Sequence, residues 1–74
     1  MSLNYRKLRG RIVEICGTQA EFSKRMGCSE KTISLKLNGK IMFDQKEIDR
    51  AISILKLTLA DIPEYFFSPE VKGF

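Results

Sequence analysis

The stretch TQAEFSKRMGCSEKTISLKLN, residues 18–38, decides how the rest of the chain is read. It holds two short helical patterns joined by one tight turn. Thr18 offers a hydroxyl to the first turn of a helix, and Glu21, three residues on, completes a capping box. The helix so begun covers residues 19–26, with Phe22 and Met26 four apart on one face beside the small Ser23. Gly27 follows at once, where a left-handed residue ends a helix. Ser29 caps a second helix over residues 30–37, closed by Asn38-Gly39, and Cys28 ahead of that cap is placed to staple onto Ile33. Two helices joined by a turn of about three residues containing glycine make a helix-turn-helix.

The outward face of the second helix follows from its angles. At about 100° per residue, with Ile33 at zero, Leu37 falls near 40°, so these two form the buried pair. Lys31 and Leu35 fall near 160° and 200°, on the far side, and Thr32 and Ser34 flank them. That face is short, basic and hydroxylated, with one leucine. Its size and chemistry suit a DNA major groove. The plainer alternative is the solvated side of a small bundle.

A chain of 74 residues makes one domain near the lower limit for a self-supporting core, so a dimer partner would help it. It holds no run of 18 apolar residues and no apolar leader at the N-terminus, which predicts a cytoplasmic protein that does not span a membrane. Cys16 and Cys28 are the only cysteines and there is no histidine. A zinc site needs about four ligands, and the usual base and nucleophile pairs need a histidine. No metal, no cofactor and no enzymatic activity are therefore expected, and both cysteines read as reduced and part-buried. Residues 1–40 carry nine Lys and Arg against three Glu, a net +6, while residues 41–74 carry four against six, a net −2. The basic half contains the helix pair, which points to a polyanion on that side.

Before the helix pair, residues 4–16 form a helix with Asn4 as cap and Gly17 as stop. Tyr5, Leu8, Ile12 and either Ile15 or Cys16 form its buried stripe, which Val13 widens. Gly10 inside it costs about 1 kcal/mol relative to alanine, so close packing is expected there. Arg6, Lys7, Arg9 and Arg11 stay outside, for solubility or for phosphate contact. After the pair, Ile41 and Phe43 are expected to tuck onto the core from a loop. Asp44 and Glu47 form another capping box, opening a helix over 45–56 whose stripe is Ile48, Ala51, Ile52 and Leu55. Leu57 leads to a further cap at Thr58. The last helix, 59–66, has Pro63 past its first turn, so it is split or begins late. Leu59, Ile62, Phe66 and Tyr65 are its inward candidates. The tail, 67–74, sets Phe67, Val71 and Phe74 around Pro69. It is frayed, packed back on the core, or docked on a second copy, and with Tyr65 and Phe66 nearby it is a candidate homodimer contact.

The unit over 19–38, with Gly27 in its turn and Ile33 in its second helix, resembles the Cro/repressor-like helix-turn-helix proteins of phages. The strings LRGRIVEICGTQAEFSKRMG, SLKLNGK and EYFF look like small phage-encoded Cro-type regulators, and the resemblance covers about residues 4–67. It implies an all-α fold, a compact five-helix bundle of the lambda-repressor-like DNA-binding type, acting on operator DNA, often as a dimer on a palindrome. It implies that Gln19 and Asn38 contact the phosphate backbone and that Glu30, Lys31, Ser34 and Leu35 face the bases. Ser23 stands where the family prefers alanine. Lys36 stands where an apolar residue is usual, a packing role that Leu37 would take over, with the recognition helix rotated slightly.

The chemistry of those side chains fits the implication. Lys31 can donate to guanine O6 and N7 or to a phosphate, and Leu35 can touch a thymine methyl or pack at a helix edge. Glu30 can accept from cytosine N4, or merely suit a helix N-terminus. Lys24, Thr32, Lys36, Lys40 and one or more of Arg6, Arg9 and Arg11 are candidate phosphate contacts, as is Gln19 at a helix N-terminus. The expected function is a sequence-specific transcription regulator of phage or prophage type, reading double-stranded DNA in the major groove through residues 30–37. The alternative is a protein-interaction module that binds and modulates a second repressor protein. The basic half opposes that alternative; the aromatic tail and Leu35 favour it.

Overall fold

A computed structural model describes residues 5–67. It is all-helical over that range: α1 (Arg6–Cys16), α2 (Gln19–Met26), α3 (Glu30–Leu37), α4 (Gln45–Ile54), a 3₁₀ turn (Leu59–Asp61) and α5 (Ile62–Phe66). The expected cap at Asn4 and the tail positions Val71 and Phe74 lie outside the described residues.

Three helices end in the same way. Gly27, Gly39 and Lys56 all have positive φ, at 74°, 78° and 58°. After each, the next amide reaches back five residues: Cys28 to the Ser23 carbonyl, Lys40 to Leu35, and Leu57 to Ile52. This is the Schellman closure, and only at Lys56 is it built without glycine. The closure stops α4 at Ile54, two residues short of the expected end. The Leu55 and Lys56 carbonyls it leaves open accept from the Arg11 guanidinium at 2.9 and 3.3 Å. Lys56→Gly should remove the left-handed strain of about 1 kcal/mol, offset in part by the looser unfolded chain. A net gain of about 0.5 kcal/mol in urea unfolding is the expected result.

The core joins Tyr5, Leu8 and Ile12 of the first segment to Phe22 and Met26 of α2, Ile33 and Leu37 of α3, Phe43, the Ile48–Ala51–Ile52–Leu55 stripe and Phe66. Burial pushes the Tyr5 phenol above its ordinary value, since charge is disfavoured inside. Three expectations need correction. Val13, Ile41 and Leu59 are exposed, Leu59 at 72%. Val13 lies about 100° from Ile12 around the helix, too far to share its contacts. Leu59 belongs to the 3₁₀ turn that Pro63 enforces, since proline serves the first turn of α5 rather than the interior of one continuous helix.

That turn is held by Asp61, whose carboxylate accepts from the Thr58 amide at 2.9 Å and its hydroxyl at 3.1 Å. The amide bond, more than the hydroxyl, holds the Asp61 carboxyl below its ordinary 3.8. A depressed carboxylate stabilises the fold above that value and loses its contribution as pH falls through the lower, folded one.

Gly10 also departs from expectation. A Cβ built on it meets nothing within 4 Å, so no close packing requires glycine there. Gly10→Ala should then recover about 1 kcal/mol of helix propensity and raise Tm by roughly 4–8 °C in a thermal melt.

Candidate helix-turn-helix interface

Each helix of the pair is capped by the residue expected. The Thr18 hydroxyl accepts from the Glu21 amide at 3.1 Å, and the Ser29 hydroxyl from the Thr32 amide at 3.1 Å. At α2 the reciprocal half of the box is not made. The Glu21 carboxylate instead accepts from Arg25 Nε at 2.9 Å, one turn along the helix. At α4 both halves form, with Glu47 N–H donating to Asp44 at 2.7 Å and Asp44 N–H to Glu47 at 2.9 Å. Between the helices, Gly27 adopts φ 74°, ψ 25°. The Met26 carbonyl beside it accepts from Arg50 of α4 at 2.9 Å, tying the turn to the bundle.

On α3, Ile33 and Leu37 are buried. Glu30 and Lys31 are exposed, and Thr32, Ser34 and Leu35 are half-buried. The four base-facing candidates thus share one accessible side of a helix held from behind. Thr32 is partly committed, since its hydroxyl accepts from Ser29 Oγ at 2.9 Å.

The phosphate candidates divide. Lys24 and Lys40 are exposed, and Gln19, at the start of α2, is half-buried. Asn38 is exposed, but its Oδ1 accepts from Arg9 at 2.8 Å, and the same arginine nitrogen donates to the Leu37 carbonyl at 2.9 Å. Lys36 has to be corrected. It is 6% exposed, and its ammonium donates to Glu47 at 2.8 Å and to the Met42 carbonyl at 3.1 Å. By the angular reading Lys36 lies about 60° from Ile33, on the inner side. Position on the wheel outweighs the usual exposure of lysine because Glu47, already turned back by its capping box, waits there.

The same bonding takes up much of the basic half. Lys7 pairs with Glu64, which pushes its ammonium up, and lies 5.6 Å from the centre of the Tyr65 ring. Arg9 seals the end of α3, while Arg11 seals α4 and binds Glu14 at 2.9 Å. Arg25 is paired with Glu21 and Lys36 with Glu47. No local pattern announces Arg9, Arg11 and Arg50 as helix seals, because their carbonyl partners lie 28, 44 and 24 residues away. Lys24, Lys31 and Lys40 remain exposed, without an ion pair among the described residues. Three phosphate contacts per chain correspond to a salt slope of only about −3.

A second surface lies elsewhere. Phe43, Ile48, Leu59, Ile62 and Phe67 line an open cleft of about 410 Å³, with Gln45 and Asp49 at its polar parts. Leu59 and Phe67 are exposed, an apolar pair of the kind that marks contact surfaces. Among the described residues no group of His, Cys, Asp and Glu could hold a metal ion, and no helix is long and apolar enough to cross a membrane.

Comparison with known proteins adds two findings. The family model described as "Protein of unknown function (DUF739)" matches residues 1–69. The solution structure of the modulator of repression (MOR) of the temperate bacteriophage TP901-1 from Lactococcus lactis is similar, at 49% sequence identity over 97% of each chain, with a TM-score of 0.81. No curated protein matches.

Proposed function

We propose that this chain, which belongs to the DUF739 family, is a phage-type helix-turn-helix protein that binds a repressor and modulates it. The observation that carries this is the likeness, at 49% identity over nearly the whole of both chains, to a protein described as a modulator of repression. At that identity, over nearly the whole of both chains, the fold carries over. The commitment of basic side chains to bonds within the chain supports the same reading. A protein that binds operators alone needs cations free to meet phosphate, and here Lys36 is buried while Arg9, Arg11 and Arg25 are bonded within the chain. The exposed Leu59 and Phe67 supply contact area suited to a protein partner. The reading is of a cytoplasmic binding module, with no catalytic step and no cofactor.

Operator binding by the chain itself is the second reading, favoured by the accessible Lys31 on α3 with Lys24 and Lys40 exposed. It keeps the Cro-like resemblance in its full sense, with a homodimer on a palindrome. Gel shifts separate the two. In the first reading the chain alone gives no sequence-selective shift, and its addition changes the shift of a phage repressor on that repressor's operator. Sequence-selective binding by the chain alone, lost in Lys31→Ala and Leu35→Ala, would instead establish the second.

A further inference from the structure

Lys36 and Glu47 form the most buried ion pair among the described residues, with side chains 7% and 21% exposed. One carboxylate oxygen, Glu47 Oε1, accepts from both Lys36 Nζ and the Asp44 amide. The same ammonium donates to the Met42 carbonyl and lies 5.8 Å from the centre of the Phe43 ring. A single charged contact therefore joins four things: the inner side of α3, the loop after it, the aromatic core and the first turn of α4. Burying two charges is a poor way to gain stability, because desolvation offsets most of the attraction. What such a pair does well is distinguish one arrangement from its neighbours, since a lysine displaced by even a turn leaves a buried charge unmet. Apolar side chains would pack acceptably in several.

We propose that the Lys36–Glu47 pair is a positioning device. It selects one placement of α3 and of the 38–43 loop against α4, and so fixes the surface carrying Ser34, Leu35, Lys40, Ile41 and Met42. Lys40, Ile41 and Met42 are exposed, and Leu35 neighbours Lys36 in sequence. The inference does not depend on whether that surface meets a repressor or DNA.

The test is the full-length double variant Lys36→Met with Glu47→Gln. Methionine keeps the length and apolar stem, and glutamine keeps an oxygen for the Asp44 amide, so the capping box survives while both charges go. Melting and backbone amide spectra are read together. The expected result is a Tm within about 4 °C of the parent or above it, with amide signals of residues 35–43 doubled or broadened while those of α1 and α2 stay single. An unchanged Tm with one sharp set of signals throughout would overturn the proposal, because apolar packing would then select the placement unaided. A larger fall in Tm would also overturn it, by making the pair a stability element. Lys36→Met alone, which leaves the Glu47 carboxylate within reach of water, gives a second variant judged on the same outcomes.

Discussion

Glu47→Ala is expected to destabilise the protein by about 3 kcal/mol, a large share of the 5–10 kcal/mol or so that a chain of this size has in hand. Two losses combine. The Lys36 ammonium is left buried, with the Met42 carbonyl as its one remaining acceptor and almost no access to water. An uncompensated buried charge costs several kcal/mol, and that penalty exceeds what the intact pair contributes. The Asp44 amide also loses its partner at the start of α4, worth roughly 1 kcal/mol as a cap. Glu47→Gln should cost less, since the amide oxygen can still accept from Asp44. Lys36→Met should fall within about 0.5 kcal/mol of the parent, because the Glu47 side chain keeps some access to solvent. Urea unfolding followed by circular dichroism gives all three values. A loss below about 1 kcal/mol for Glu47→Ala would mean that the ammonium escapes to water and that the burial of Lys36 is not enforced.

The helix pair is legible in the sequence nearly to the residue, since its signals are local: a hydroxyl cap at Thr18 and Ser29, a glycine at position 27, and Ile33 and Leu37 on one side of a helix. Backbone dihedrals and caps are decided within a few residues, so short-range pattern suffices. The end of α4 is not legible in the same way, because Lys56 adopts a conformation that glycine normally marks and no residue type there announces it. Charge was the least legible. Net charge by halves locates the basic residues but not their partners, several of which lie outside the range of a helical pattern: Glu64 for Lys7, Leu55 for Arg11, Glu47 for Lys36. A sum over residues counts cations; only the fold says which of them face outward.

Phe43→Ala is expected to have an effect of similar or larger size, about 3–5 kcal/mol, although the residue sits in a loop. Phe43 stands edge-on between two other rings, 5.6 Å from Tyr5 at 77° and 5.4 Å from Phe66 at 86°. It thereby links the start of the described chain to its last helix through a segment with no helical hydrogen bonds of its own. Each such contact adds about 0.5–1.5 kcal/mol beyond the area buried. Truncation also strips the apolar floor from under the Lys36 ammonium, so the ion pair is disturbed along with the rings. The loop cannot close over the gap without moving Asp44 and the α4 cap. Phe43→Leu, which keeps most of the volume but no ring edges, should fall between, at about 1–2 kcal/mol. The two variants separate the terms: if leucine costs as much as alanine, ring geometry dominates, and if it costs almost nothing, burial alone does. Phe43 also lines the open cleft. The same residue therefore bears on both the stability of the bundle and the shape of its exposed apolar surface, and stability measured for Phe43→Leu beside the gel-shift readout of the proposed function would show whether the two can be changed independently.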